Sequence, residues 1–165
     1  MLSSVEAKPG VLTQIENLTN SNPAFLRYPT QFTQNIMTKQ IHSHNDYWRD
    51  VPLLRAISLG VASVEADVWI VDGQLLIGHE PAALTTDRTF DSLYIQPLVN
   101  ILAMQNPSDE FTVNATSPNG VFDTSSGTPL QLLVDMKTDG TETLPFVLKA
   151  LEPLRKANYL TTSST

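Results

Sequence analysis

Cysteine is absent from the sequence, and histidine is scarce, with three residues in the whole chain. The lack of cysteine excludes disulfide bonds, a catalytic thiolate and zinc sites built on thiolates. The three histidines stand at positions 42, 44 and 79. Imidazole is the side chain that ordinarily changes charge near neutral pH, so any such acid–base chemistry has few candidates here.

Basic residues are also few. Ten Lys and Arg residues stand against 17 Asp and Glu residues, which gives a formal charge of -7. A surface of this sign repels nucleic acid and anionic membranes, so we expect neither as a partner. A substrate that carries phosphate must then meet a local cluster of positive charge.

Long hydrophobic runs are missing as well. No apolar stretch approaches the roughly 20 residues of a membrane helix, so we expect no stable membrane span. The opening residues MLSSVEAKPG lack the basic and apolar regions of a signal peptide, and we expect none in this chain. Neither the compartment nor the oligomeric state follows from the sequence.

The chain length suits one domain, preceded by an arm. Residues 1–38 are rich in Asn, Thr, Gln and Pro and are interpreted as an N-terminal arm, and residues 39–165 as the folded portion. In that portion predicted strands alternate with helices, with Asp72-Gly73 as a hairpin turn. One predicted helix opens at Asp50 as its N-cap, a second spans residues 91–105 with an interruption or restart at Pro97, and a third runs from about Pro145 to Lys156. This alternation predicts an α/β fold with parallel βαβ units and right-handed crossovers.

The stretch IHSHNDYWRD, residues 41–50, is the densest group of polar functional side chains. His42 and His44 are two residues apart, which is the strand period, so they face the same way. The next strand, SVEADVWIV, places Glu65 and Asp67 on one face and its small apolar residues on the other. A later strand, LQLLVDMK, places Asp135 and Lys137 on one face in the same way.

Carboxylates from two strands indicate a metal site. Three of them brought together repel one another unless a cation compensates, and an all-oxygen ligand set suits Mg²⁺ or Ca²⁺. We therefore predict Glu65, Asp67 and Asp135 as ligands. The alternative for any one carboxylate is that it caps a loop or pairs with Lys137 or Arg49.

Two histidines flank this predicted site. His44 and His79 end neighbouring strands and can act as base and acid in a displacement at phosphorus, in that order or the reverse. His42 is interpreted as structural. Lys137 and Arg49 can bind phosphate oxygens, although a surface salt bridge is the alternative for Arg49.

The ordered blocks IHSHNDYWRDVPL, SVEADVWIVDGQLLIGHE, RTFDSLYIQPL and LLVDMKTDG resemble the fungal altered inheritance of mitochondria protein 6 family, within the phospholipase C-like phosphodiesterase superfamily. The resemblance implies a TIM barrel, a metal on a Glu-x-Asp pair plus a later acidic residue, and two histidines as acid and base. By position these are Glu65, Asp67 and Asp135 with His44 and His79. The candidate phosphate-binding residues are Lys137, Arg49 and Asn45.

The sequence departs from that superfamily in one motif and in length. His-Asn-Asp replaces the His-Arg-Gly of glycerophosphodiesterases, so their substrate preference is not carried over. A TIM barrel takes about 250 residues and eight strands, and about three βα units are visible here. We therefore expect the N-terminal part of such a barrel.

Two functional hypotheses follow from the predicted site and the family resemblance. The first is a metal-dependent phosphoric diester hydrolase acting on a small glycerophosphodiester or a phospholipid-type headgroup. The alternative is a truncated, catalytically inactive half-barrel remnant or interaction module.

Overall fold

A four-stranded sheet with helices packed on one face forms the centre of the protein, in a computed structural model that describes residues 10–113 and 115–161. The signal-peptide expectation depends on residues 1–10, of which 1–9 lie outside these ranges. The strands are β1 (Lys39–Ser43), β2 (Val61–Val71), β3 (Gln74–Ile77) and β4 (Gln131–Met136). The helices are α1 (Val11–Ser21), α2 (Leu54–Ser58), α3 (Gln96–Gln105), α4 (Gly140–Ala150) and α5 (Glu152–Lys156).

Strand β2 pairs with all three other strands. It is parallel to β1 and β4 and antiparallel to β3. Val64 pairs with both β1 and β4, and Val68 with both β3 and β4, so β1 and β3 occupy one edge of β2 and β4 the other. Within the described ranges the sheet is open: it is a mixed α/β sheet with a parallel centre and not a closed barrel.

The two faces of β2 differ as the alternation predicts. Val64, Ala66 and Val68 are fully buried and pack in the core with the helices. Glu65 and Asp67 lie on the other face and are also buried. This second burial comes from loops rather than from a helix layer, because the turn after β1 folds over the carboxylates.

The hairpin between β2 and β3 confirms the Asp72-Gly73 prediction. Both residues have positive φ, 47° and 78°, as a two-residue turn of the type I′ class requires. β3 returns along β2 and brings the chain to His79, two residues after the strand ends.

The helix predicted from Asp50 begins later. α2 starts at Leu54, and Asp50 is not its N-cap: the Asp50 carboxylate accepts hydrogen bonds from Arg55 and from the Val51 amide instead. The delay has a physical cause at Leu53, whose φ of 61° interrupts helical geometry. Its side chain is fully buried and its amide donates to Asp46, which holds this conformation.

The later helices also differ slightly from the expected bounds. The predicted helix over 91–105 begins with a π-helical turn at Asp91–Ile95 and continues as α3, with Pro97 in its first turn. The helix expected from Pro145 begins earlier, at Gly140, because Asp139 caps it by accepting from the Thr141 and Glu142 amides.

Gly60 joins α2 to β2 where no other residue fits. Its φ is 77°, and a Cβ at this position would collide with the carbonyl oxygen of Met37. The glycine thus lets the segment before β1 pack directly against the end of α2.

Candidate active site

Three carboxylates converge at the C-terminal end of the sheet. Glu65, Asp67 and Asp135 each offer one oxygen, and these oxygens lie within 4.8 Å of one another. The register explains the convergence, because Asp67 and Asp135 are direct partners in neighbouring parallel strands and Glu65 precedes Asp67 on the same face. The structure therefore brings the predicted ligand set together, whereas its role as ligands stays a prediction.

Lys137 lies between two of these carboxylates. Its Nζ is 2.6 Å from Asp135 Oδ2 and 3.0 Å from Asp67 Oδ2. The hydrogen bond to Asp135, more than the contact with Asp67, raises the pKa of the Lys137 ammonium above its ordinary value, so it stays charged. The alternative interpretation, pairing with Lys137, is realised for Asp67 and Asp135, but one ammonium leaves two of the three negative charges uncompensated.

The donor set fits a hard divalent cation. Asp67 is fully buried, and its Oδ1 atom has no hydrogen-bond partner among the described residues, while Oδ2 accepts every contact made to this carboxylate. A buried carboxylate oxygen without a donor is costly unless a cation meets it. Mg²⁺ and Ca²⁺ prefer such oxygen ligands.

The two predicted catalytic histidines contact two different carboxylates. His44 Nε2 lies 3.4 Å from Glu65 Oε2, and its side chain is 73% exposed. His79 Nδ1 lies 3.2 Å from Asp67 Oδ2, and its side chain is 43% exposed. Both imidazoles are thus anchored at the carboxylate cluster and still open to a substrate.

His42 occupies a supporting position, as the structural interpretation expects. Its Nδ1 is 2.7 Å from Ser63 Oγ, which in turn donates to Gln131 on β4. Its Nε2 is 3.9 Å from Glu65 Oε2, beyond hydrogen-bonding distance. The contact links β1, β2 and β4 below the carboxylates.

The other two candidate phosphate-binding residues lie on the turn after β1. Arg49 is exposed, and its guanidinium donates to the His44 carbonyl at 3.5 Å, so it lies beside the site rather than inside it. Asn45 is buried and has a φ of 49°, and its backbone N–H donates to Glu65 Oε2 at 2.9 Å. The backbone of Asn45 therefore orients a predicted ligand.

Sequence reasoning missed the residue at the centre of this turn, Tyr47. Its hydroxyl lies 2.7 Å from Asp67 Oδ2 and 3.2 Å from His79 Nδ1. Burial, followed by the hydrogen bond to Asp67, raises the pKa of the Tyr47 hydroxyl well above its ordinary value. Tyr47 stands inside the stretch IHSHNDYWRD, three residues after His44, and this position in the turn after β1 was the available signal.

Asp46 was also missed, and it fixes the turn. Its carboxylate is fully buried and accepts from Ser43 Oγ, from the Leu53 amide and from the Tyr94 hydroxyl. Arg88 also stabilises the turn, because its guanidinium donates to the Tyr47 carbonyl at 2.6 Å. These contacts make the turn after β1 a rigid support for the site.

Comparisons with known proteins agree with the geometry. Residues 30–165 match the model of the AIM6-like phosphodiesterase domain. The chain is 45% identical over 170 residues to an altered inheritance of mitochondria protein 6 homolog of Arthroderma benhamiae, covering 98% of this chain and 54% of that protein. The altered inheritance of mitochondria protein 6 of Lachancea thermotolerans is 41% identical over 141 residues, covering 80% and 32% respectively.

A third relative, the altered inheritance of mitochondria protein 6 of Saccharomyces cerevisiae, is 40% identical over 114 residues, covering 68% of this chain and 28% of that protein. The chain thus spans about half the length of the Arthroderma relative and about a third of the lengths of the Lachancea and Saccharomyces relatives.

No solved structure matches the chain. Among the described helices, none combines the length and apolar character that crossing a membrane requires. The match over residues 30–165 shows that the chain belongs to the family defined by the AIM6-like phosphodiesterase domain.

Proposed function

We propose that the chain is a metal-dependent phosphoric diester hydrolase that acts on a glycerophosphodiester or a phospholipid-type headgroup. The observation that carries this proposal is the cluster of Glu65, Asp67 and Asp135 oxygens within 4.8 Å, with an imidazole against each of the first two carboxylates. The family match to a phosphodiesterase domain supports the same reaction class.

The cation would be Mg²⁺ or Ca²⁺, held by Glu65, Asp67 and Asp135. A bound divalent cation supplies charge compensation for phosphoryl oxygens and helps to orient the diester. It also offsets the two negative charges that Lys137 leaves in the cluster, so cation and substrate phosphate are expected to bind together.

The residues of the chain then carry out the proton transfers. One imidazole takes a proton from the attacking hydroxyl or water, and the other gives a proton to the leaving oxygen. His44 as base and His79 as acid is the order predicted from the sequence, and the reverse order uses the same groups. Lys137, with Arg49 at the rim, supplies positive charge to the phosphate oxygens.

The direct test is hydrolysis of a panel of phosphodiesters by the purified chain with Mg²⁺, with Ca²⁺ and with a chelator. We expect turnover that depends on the cation and falls at least a hundredfold in His44→Ala. His42→Asn is the matched control, because this histidine supports the strands and should retain most of the activity. Equal rates for wild type and His44→Ala would refute the assignment.

A second candidate, a non-catalytic interaction module, is favoured by the edge of the sheet. β4 pairs with β2 on one side, and within the described ranges no strand pairs with its other side. Leu133 and Met136 on β4 are 42% and 36% exposed. An apolar, unpaired edge is a template for another chain. Under this candidate the same assay gives no turnover with any diester or cation.

A further inference from the structure

We propose that Tyr47 is the positioning residue of this site: its hydroxyl, together with Asp67, fixes the His79 imidazole with a hydrogen on Nδ1 and the Nε2 lone pair free for the substrate. The inference deepens the proposed function and rests on it for its catalytic meaning. The arrangement of the side chains, however, can be tested without any turnover.

The Tyr47 hydroxyl has more neighbours than it has hydrogens. It lies 2.7 Å from Asp67 Oδ2, 2.7 Å from Asn45 Oδ1 and 3.2 Å from His79 Nδ1. A phenol has one hydrogen to donate and accepts through its oxygen. The ionised carboxylate is the stronger acceptor, so the hydrogen goes to Asp67. Asn45 Oδ1 is the weaker, neutral acceptor, and a hydrogen donated to it is equally unavailable to His79.

The protonation of His79 follows from this assignment. Its Nδ1 atom faces two oxygens, Asp67 Oδ2 and the Tyr47 hydroxyl, each at 3.2 Å. Neither oxygen has a hydrogen left to give to the ring. Nδ1 must therefore carry the hydrogen and donate it, and the hydrogen bond at one ring nitrogen sets the tautomer of the other. In the neutral ring Nε2 is then the unprotonated atom, which suits the order with His79 as base; with His79 as acid, Nε2 must first gain a proton.

Two further contacts keep the Tyr47 hydroxyl and the His79 ring in place. The Trp48 ring packs edge-on against His79 with 5.4 Å between centroids, which restricts rotation of the imidazole. The Tyr47 main chain is held separately, because its carbonyl accepts from Arg88. Removal of the hydroxyl should therefore leave the turn after β1 in place and loosen the imidazole, which keeps its contacts with Asp67 and the Trp48 ring.

The hydroxyl also adds to the contacts on one oxygen of Asp67. Tyr47, His79 and Lys137 all contact Oδ2, so Oδ1 stays without a donor among the described residues and is left available to a cation. One tyrosine thus links the proposed acid–base residue to a proposed ligand.

The test compares Tyr47→Phe with Tyr94→Phe in the full chain. Both variants delete one buried tyrosine hydroxyl, but the Tyr94 hydroxyl contacts Asp46 and the Glu65 carbonyl, not His79 or Asp67. The first readout is a ¹⁵N–¹H correlation spectrum of the histidine rings above the pH range in which imidazole titrates. We expect His79 with hydrogen on Nδ1 in wild type and in Tyr94→Phe, and at least tenfold faster exchange of that hydrogen in Tyr47→Phe.

The second readout is kinetic. For any diester that wild type hydrolyses, Tyr47→Phe should lower kcat at least tenfold and change KM less than threefold, whereas Tyr94→Phe should leave kcat within threefold. Hydrogen on Nε2 of His79 in wild type, or equal ring exchange in the two variants, would overturn the inference. Equal losses of kcat in both variants would also overturn it. Absence of turnover in wild type with the expected spectrum refutes the proposed function and leaves the Tyr47 arrangement supported.

Discussion

The buried carboxylate of Asp46 gives the sharpest stability prediction. Asp46→Ala removes the acceptor for the Leu53 amide at 2.6 Å, for Ser43 Oγ at 2.7 Å and for the Tyr94 hydroxyl at 3.2 Å. The two hydroxyls can turn elsewhere, and Tyr94 still has the Glu65 carbonyl at 3.3 Å. The Leu53 amide is fixed by the backbone and cannot turn.

The magnitude follows from that difference. A buried donor left unsatisfied costs about 1–3 kcal/mol, and hydrogen bonds to a charged group are worth about 1.5–3 kcal/mol. With the two hydroxyls partly compensated, we expect Asp46→Ala to lower the free energy of unfolding by about 3 kcal/mol. This is a large part of the about 5–15 kcal/mol typical of a domain.

Asp46→Asn is the matched control variant. Its amide oxygen can accept from the Leu53 amide and the Tyr94 hydroxyl. Its NH₂ group can donate to Ser43 Oγ, so that the serine hydroxyl accepts a hydrogen bond instead of donating one. All three partners stay satisfied, and we expect a loss of about 1 kcal/mol from the missing charge. Urea unfolding of both variants measures the difference. Asn as damaging as Ala, or Ala as mild as Asn, would refute the assignment of the loss to the Leu53 amide.

Three further predictions concern the backbone, the metal and the pH dependence. Gly60→Ala should lower the melting temperature by several degrees more than Gly73→Ala, because both glycines have positive φ but only the first Cβ would collide with a backbone carbonyl oxygen. Asp135→Asn should weaken Mg²⁺ or Ca²⁺ binding at least tenfold by isothermal titration calorimetry, whereas Asp139→Asn, which alters a helix cap outside the cluster, should not. Burial, more than the nearby Asp46 charge, raises the pKa of the Tyr94 hydroxyl, so its contribution to stability is complete below about pH 10 and falls by about 1.4 kcal/mol per pH unit above it. The Tyr47 hydroxyl, whose pKa is raised in the same direction, adds to the slope in wild type. Urea unfolding against pH should therefore give a steeper slope in wild type than in Tyr94→Phe, by about 1.4 kcal/mol per pH unit.

The strand that carries Glu65 and Asp67 was readable from sequence because its pattern depends on local geometry. Strict alternation places the carboxylates on one face, and Asp72-Gly73 ends the strand with a turn that few other dipeptides form. Asp135 was placed beside Asp67 by the expectation of parallel neighbours, and the register bears this out. These features need no knowledge of distant contacts.

The turn after β1 was not readable in the same way. Asn45 and Leu53 both have positive φ, and the Leu53 conformation depends on a hydrogen bond to Asp46, seven residues earlier. The sequence shows an aspartate before a helix and predicts an N-cap at Asp50, whereas the buried acceptor is Asp46. The contacts of Tyr47 with Asp67 and His79 join residues 20 and 32 positions apart, which no local pattern encodes.

The alternation of β2 also ties the chemistry of the protein to the accuracy of its folding. A shift of one residue along this strand would turn both carboxylates into the helix layer and send valines toward the histidines. Such a misregistered molecule would lose its charged cluster and its core together. Correct alignment of a single strand is thus a precondition for stability and for cation binding at once, so neither property can drift while the other is preserved.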